Sequence, residues 1–577
     1  MRETLNAVIT ETVSACIADG RLKLDAAPAV SVERPRDPSH GDWATNIALV
    51  SAKAAGMPPR EVAEIVAAEL RERLGDTAES IEIAGPGFIN IRLSRGVLAD
   101  VVTRVREQGD AFGAGERTGA RVQIEFVSAN PVGPMHVGHG RWAALGDSIA
   151  RILEHAGDDV EREFYINDAG VQMDIFAASV SARYLELCGS EVEFPEDGYR
   201  GAYITEIARE IYEEEATCWL DATPANREAH FKEKAYAAVL GHLKRVLSGM
   251  GVDFDVWFSE RTLHASGADG APTAIERGIG RLAGAGYVYE HEGAVWFRST
   301  DFGDDKDRVL KKADGSYTYF AADVAYHADK YDRGFDLVID IWGADHHGYV
   351  KRMESAVAAL GHPGKLEVII GQMVNLFRNG EVVRMSKRTG EMVTFEDLLD
   401  EVGADAARYF FLRRSTDQAL DFDIGLAKER SSDNPVFYVQ YAHARICSIL
   451  RKASGADTAD ESVDVAAVAA GIDVDAGALS LLGSEPETLA GEAELALLRK
   501  LAEFPEIVAL AARQRAPHKL ATYAEDLAAA FHGFYTHCQV VVDDEQLRSA
   551  RLALADASRI VLARALGLLG VSAPQRM

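Results

Sequence analysis

Three hydrophobic periods divide the chain. Over residues 1–112 a helical repeat runs through positions 5–17, and a longer one runs from 46 to 74 across the Pro58-Pro59 start signal. The period then becomes strict alternation, in Ser80-Ile81-Glu82-Ile83 and Phe88-Ile89-Asn90-Ile91-Arg92, on either side of Gly85-Pro86-Gly87. These patterns predict a small N-terminal α+β unit, a form suited to binding or docking. From 113 to 430, short continuous apolar runs alternate with helical patterns. Residues 122–127 form one run, which breaks at Asn130, Pro131 and Gly133 and leads to a helix over 142–155. A second run, 163–166, ends in Asn167-Asp168-Ala169-Gly170, and a third, 335–342, ends in Gly343-Ala344-Asp345-His346-His347-Gly348. A fourth follows at 366–371. Apolar strands joined through helices predict a Rossmann-like, doubly wound parallel sheet, with ligands at the carboxyl ends of its strands. Residues 180–300 read as an insertion interrupting that sheet, and near 372 the pattern changes to a basic segment that closes this unit by 430. Residues 431–577 are almost entirely helical and predict an all-α bundle. The fold class is therefore α/β, with an α+β unit before the sheet and a helical unit after it.

Composition refines this picture in three respects. At 577 residues the chain exceeds what one core holds, so several domains are expected. The net charge of −29 argues against nonspecific coating of nucleic acid. Ten of the acids fall in 454–494, which has no Lys or Arg and reads as an exposed acidic insertion. Basic faces therefore remain open to the flanks, which carry Arg445, Arg451, Lys452, Arg499 and Lys500. No apolar run is long enough to span a membrane, and the N-terminus has no signal-peptide pattern. Five scattered cysteines without a CxxC pair fit a reducing cytoplasm.

The chemistry concentrates in QIEFVSANPVGPMHVGHGRWAALGD, residues 123–147. A strand, a glycine-bearing turn and a helix N-terminus make a cradle for phosphate. His136 and His139 are open to three readings: a metal pair, two structural histidines, or imidazoles that hydrogen-bond phosphate oxygens as charge develops. The His-x-x-His spacing matches none of the zinc patterns, and no third ligand cluster follows. About 250 residues later comes Arg384-Met385-Ser386-Lys387-Arg388-Thr389-Gly390. Alone it is a solvated basic loop, or a loop that closes a lysine over phosphates. Paired with HVGH it is a strong joint signal.

That pairing resembles the HIGH and KMSKS motifs of class I aminoacyl-tRNA synthetases. The blocks EFVSANPVGPMHVGHGRWAALGD, YINDAG, WGADHHGYVKRM, RMSKRTG and DNPVFYVQYAHAR narrow the resemblance to bacterial arginyl-tRNA synthetases, over nearly the whole chain. Arg384 stands where the motif has its first lysine and keeps the charge. The resemblance implies an arginine–tRNA ligase that forms arginyl-adenylate from arginine and ATP, then charges the 3′-terminal adenosine of tRNA(Arg). His136 and His139 would contact the ATP phosphates, Gly138 would let adenine and ribose approach, and Met385, Ser386 and Lys387 would close on the nucleotide. Lys387 would neutralise departing pyrophosphate, and Mg²⁺ would come with ATP, with no metal site in the protein itself. Glu125 and Asp323 would meet the guanidinium and Tyr319 would pack on it or bond it. Ser128, Asn130 and His346 would surround the α-amino and carboxylate groups.

From spacing alone, Asp323 is an ordinary acid near a helix start. The N-terminal unit would touch the tRNA corner at the D-loop, with Phe88 and Asn90 as candidates. The helical unit would bind the anticodon, with Tyr441, Arg445, Tyr535 and Met577 as candidates. A cytoplasmic monomer is implied. The alternatives are another class I synthetase, a small-molecule nucleotidyltransferase and a non-catalytic tRNA-binding relative. The ANPVGPMHVGHGR and DNPVFYVQYAHAR blocks speak against the first, the distant lysine loop and helical C-terminal unit against the second, and the intact histidines and Lys387 against the third.

Overall fold

The computed structural model describes residues 1–35, 37–266, 270–378, 380–383, 393–457 and 462–577. Its centre is a five-stranded parallel sheet in the order Leu366–Gly371, Leu337–Gly343, Arg121–Glu125, Asp159–Ile166, Val256–Ser259. The strand order reverses beside Arg121–Glu125, the middle strand, and this creates a crevice at its carboxyl end. Helix Val137–His155 leaves that crevice and helix Tyr319–Asp332 contributes side chains to the same sheet. Val256–Ser259 lies inside the stretch expected to interrupt the sheet and is instead its edge strand. At four residues, with two of them aromatic and no flanking glycine, it carried too little period to stand out. The rest of that stretch forms helices Val171–Leu187, Ala202–Glu215 and Pro224–Gly249, and a separate antiparallel sheet of Val288–His291, Ala294–Phe297 and Arg308–Lys311.

Before the central sheet, strands Val32–Glu33, Trp43–Thr45, Phe88–Leu93 and Ala78–Ala84 form an antiparallel sheet in that spatial order. The single helix expected over 46–74 is two helices, Ile47–Ala55 and Pro59–Leu74. Gly56 ends the first in the left-handed region at φ +66°, and Pro59 starts the second at its first turn. After the central sheet come helices including Pro435–Ala453, Leu489–Gln514, His518–His537 and Glu545–Leu568. The acidic segment between them is not simply exposed. Val465, Ala469, Ala478, Leu479 and Leu482 are buried, and Glu494 accepts from Gly483 N at 2.6 Å and Arg551 Nε at 2.7 Å. Its apolar positions face inward while most of its acids face out. Residues 458–461 lie outside the described residues.

Polar ties hold these units together. Arg499 Nε donates to Asp42 at 2.6 Å, Arg34 donates to Glu506 at 3.1 and 3.2 Å, and Arg106 reaches Asp556 at 3.3 Å. Arg408, fully buried, donates to Asp147, to Leu569 O at 2.9 Å and to Met250 O at 3.2 Å.

Candidate active site

The sheet register places three acids side by side. Glu125 pairs with Asp340 on one neighbouring strand and with Glu163 on the other. All three are buried, and a row of like charges is costly unless cations are set against it. Helix Tyr319–Asp332 supplies them. Lys330, 0% exposed, donates to Glu125 Oε2 at 2.7 Å and to Asp340 Oδ1 at 2.9 Å. Just past the helix end, Arg333 donates to both oxygens of Glu163 at 2.6 and 3.1 Å, and Tyr326 OH donates to Glu163 at 2.5 Å. Burial works against the Lys330 ammonium, yet Asp340 and Glu125 hold its pKa above the ordinary lysine value. Burial also works against ionised Asp340, but Lys330 and His327 outweigh it and bring that carboxyl down to about 2. Glu125 and Asp323 show the opposite balance, because burial pushes both carboxyls up.

Around this row the crevice is lined by further acids and phenols. Asp323 accepts from Tyr349 OH. Tyr165 has its phenol pKa raised by burial and by neighbouring Glu260, Asp323 and Glu125, and its backbone N bonds the Ser128 hydroxyl that reaches Glu125. A half-buried crevice of carboxylates and aromatic rings suits a planar organic cation. Tyr319, one turn before Asp323, stands 73% exposed at the helix start. His346 is exposed on the short 3₁₀ segment Ala344–Tyr349 that follows strand Leu337–Gly343. Asn130 donates to Gln172 Oε1 at 2.9 Å at the crevice rim.

The chain after Glu125 is strained. Val127 and Ser128 both take positive φ, +69° and +42°, a conformation unfavourable for a β-branched residue. The kink carries Ser128 Oγ back to Glu125 Oε1 at 2.8 Å, where it also accepts from Tyr165 N at 3.2 Å. Eight residues on from Ser128, His136 caps helix Val137–His155. The rings of His136 and His139 stack with centroids 3.7 Å apart. His139 Nδ1 accepts from His136 N at 3.2 Å, so a neutral His139 carries its proton on Nε2 as a donor. A Cβ on Gly138 would come within 3.0 Å of the His136 ring, which leaves glycine as the residue that lets the two imidazoles pack. Thr394 bridges to His136, and Phe395 N donates to Met135 O at 2.9 Å. The segment following RMSKRTG is thereby fastened to the HVGH turn. Arg384, Met385, Ser386 and Lys387 themselves lie outside the described residues.

Three family models tile the chain. One described as the arginyl tRNA synthetase N terminal domain matches residues 3–93. One described as tRNA synthetases class I (R), catalytic domain matches 102–424, and one described as the DALR anticodon binding domain matches 439–577. An arginine–tRNA ligase of Heliobacterium modesticaldum is 48% identical over 579 residues, covering 100% of this chain and 99% of its own. Another, from Nitratidesulfovibrio vulgaris strain Hildenborough, is 49% identical over 550 residues, 95% of each chain. The chain belongs to the arginyl-tRNA synthetase family. The solved Thermus thermophilus arginyl-tRNA synthetase has the same fold, with a TM-score of 0.73 over 100% of both chains at 22% identity. As an arginine–tRNA ligase the enzyme takes arginine, ATP and tRNA as substrates. Among the described residues no helix is long and apolar enough to cross a membrane.

In this arginyl-tRNA synthetase the sequence reading missed Lys330, Asp340, Tyr349, Tyr165 and Glu260. Two of them left a trace. Asp340 is a charge in the middle of the apolar run Leu337–Gly343, and Lys330 lies seven residues after Asp323, on the same helical face. The others needed the fold. Of the tRNA candidates, Phe88 is exposed at its strand start, while Asn90 is buried. Tyr441, Arg445 and Tyr535 form one cluster. The Arg445 guanidinium lies 4.7 Å from one ring centroid and 4.8 Å from the other, and it donates to Tyr441 OH at 2.6 Å. Met577 is exposed, and the tail before it is tied to the same helix through His443 to Pro574 O and Arg451 to Gln575 O.

Proposed function

We propose that this arginyl-tRNA synthetase reads the guanidinium of arginine with Glu125 and Asp323 and works on ATP with His136, His139 and Lys387. The observation that carries the reading is the pair of acids held in the crevice, Glu125 by Ser128 and Asp323 by Tyr349, beside the strained turn that leads into the HVGH helix. A guanidinium brings five N–H donors in a fixed plane, and buried carboxylates match it in charge and shape. Lysine, a point charge, leaves that fork unmatched, so discrimination rests on binding and needs no editing step. Tyr319 packs on the guanidinium face, and Ser128, Asn130 and His346 border the α-amino and carboxylate groups.

In the first step the arginine carboxylate attacks the α-phosphorus of ATP and pyrophosphate leaves. The terminal adenosine 2′-hydroxyl then attacks the acyl carbon and AMP leaves. No protein nucleophile takes part, and catalysis is placement plus stabilisation of charge on phosphate oxygens. His139 Nε2–H and the HVGH helix N-terminus serve one side of the triphosphate, Gly138 lies under the nucleoside, and Met385-Ser386-Lys387 close the other side. Imidazole and backbone N–H suit phosphate oxygens better than a hard cation, so Mg²⁺ enters on ATP. Residues 1–112 take the tRNA corner through exposed Phe88, with buried Asn90 two residues along the same strand face supporting it. Residues 113–430 hold the chemistry, with 372–430 against the acceptor side. Residues 431–577 take the anticodon through Tyr441, Arg445, Tyr535 and Met577. The enzyme acts as a cytoplasmic monomer. Aminoacylation run separately with arginine, lysine and citrulline tests the pocket, and comparable charging with lysine would remove the two carboxylates from recognition.

A further inference from the structure

We infer that Lys330 is a positioning residue for arginine recognition, its sealed ammonium fixing Glu125 as an oriented carboxylate ready for the guanidinium. This rests on the reading that Glu125 meets that group. Lys330 is fully buried beneath the sheet and cannot touch substrate, so it acts through the oxygen it bonds. Its Nζ sits 2.7 Å from Glu125 Oε2, 2.9 Å from Asp340 Oδ1 and 4.3 Å from the Tyr326 ring centroid. Among the described residues Glu125 Oε1 is taken once, by Ser128 Oγ at 2.8 Å. A carboxylate has four lone-pair sites, so one remains on each oxygen, the number that two guanidinium N–H groups use.

Without Lys330, Glu125 has little reason to stay charged. Its neighbours on both sides in the sheet, Asp340 and Glu163, are acids. Helix Tyr319–Asp332 presents Asp323, Tyr326, His327 and Lys330 to the region, strand Asp159–Ile166 adds Tyr165, and Ser128 closes the turn. His327 is spent on Asp340 Oδ2 at 3.0 Å and on Asp323 O at 2.8 Å. Arg333 is spent on Glu163, Glu161 and Asp329. Lys330 is thus the cation that Glu125 bonds among the described residues. Burial is the largest influence raising the Glu125 carboxyl, and Lys330 is the largest opposing it. Removing the ammonium leaves burial and the flanking acids unopposed at Glu125, which pushes its carboxyl further up and favours the neutral acid, and a neutral acid attracts a guanidinium less.

The test is Lys330→Met beside Glu125→Gln, with arginine KM, ATP KM and kcat measured from pH 6 to 9. Lys330→Met is expected to raise arginine KM by roughly 10–100-fold at pH 7, with the excess shrinking as pH rises. Both kcat and ATP KM should stay within about threefold, since the loss is in ground-state arginine binding. Glu125→Gln should raise arginine KM equally at every pH. An unchanged arginine KM in Lys330→Met, or a rise that is the same at all pH values, overturns the inference and leaves Lys330 as packing. An unchanged KM in Glu125→Gln instead overturns the underlying reading of Glu125. If Lys330→Met does not fold, Glu125→Gln/Lys330→Met, which removes both ends of the bond, carries the test. Arginine KM within about threefold of Glu125→Gln alone supports action through Glu125, and a further rise of tenfold or more refutes it.

Discussion

Asp323→Asn probes the recognition pocket with the smallest change of shape. The carboxylate is half-buried, accepts from Tyr349 OH and lies near Tyr165. Removing one partner of a buried, hydrogen-bonded charge pair costs about 2–5 kcal/mol. The lower part of that range applies, because burial already raises the Asp323 carboxyl and the neutral amide escapes that penalty. A loss of about 2–3 kcal/mol is roughly 30–150-fold in arginine KM, at about 1.4 kcal/mol per tenfold. No charge develops at the guanidinium during either chemical step, so kcat at saturating arginine should move by less than about threefold. Tyr349→Phe removes one hydrogen bond to a charged group, about 1.5 kcal/mol, and should raise arginine KM by roughly tenfold. Initial rates of tRNA aminoacylation with labelled arginine, with ATP KM as the internal control, measure both. An arginine KM within threefold of wild type in Asp323→Asn would take Asp323 out of the pocket. Equal rises in arginine and ATP KM would mean that the crevice had been disturbed as a whole.

Three further outcomes are expected. Lys387→Ala should slow adenylate formation by about 10²–10³-fold, the cost of losing one stabiliser of developing charge, with arginine KM nearly unchanged; unchanged turnover would sink the lysine-loop assignment. Arg408→Met should destabilise the enzyme by about 3 kcal/mol, the low end for a broken buried pair, because Asp147 keeps Arg151 and Arg162. Urea denaturation followed by tryptophan fluorescence reads that loss, and an unshifted midpoint would contradict it. His155 and His443 are each held down to about 4 by burial, against an ordinary 6.5. The unfolded chain therefore binds more protons between those values, and stability should fall as pH drops from 6.5 towards 4, by up to about 3 kcal/mol for each. Replacing both with glutamine should flatten that window in a pH series of thermal melts, and an equally steep decline would assign it to other groups.

The parts of the fold that were legible in the sequence are those where one period persists. Leu366–Gly371 coincides with its apolar run, and the paired alternations around Gly85-Pro86-Gly87 became strands Ala78–Ala84 and Phe88–Leu93. Val256–Ser259 was hidden because an edge strand of four residues needs only its neighbour, not a long pattern of its own. The acidic segment misled through composition: its charges dominate the count, whereas five buried apolar residues fix how it packs. The site divides in the same way. HVGH was visible because its residues are consecutive. The Asp340–Glu125–Glu163 row was not, since it exists only in the register of three strands, and its cation arrives from a helix 205 residues along the chain from Glu125.

Helix Val137–His155 explains how the HVGH turn can depend on distant contacts. Its 19 residues make a rod about 28 Å long. His136 and His139 stand at its start. In the next turn Arg141, fully buried, donates to Gln372 O at 2.8 Å, Ser415 O at 2.9 Å and Gln418 O at 3.0 Å. Midway, Asp147 accepts from Arg408, which also holds Leu569 O of the helical unit. At its end His155 accepts from Arg564 at 2.7 Å and bonds Phe112 O at 3.2 Å, the close of the N-terminal unit. A helix pinned at four levels cannot tilt at one of them alone. The direction in which His139 presents its proton is therefore set jointly by the segments on both sides of the lysine loop, by the helical unit and by the N-terminal unit. On the proposed role of HVGH, a loose bond at any level costs placement of the two imidazoles, and placement is what a reaction without a protein nucleophile depends on.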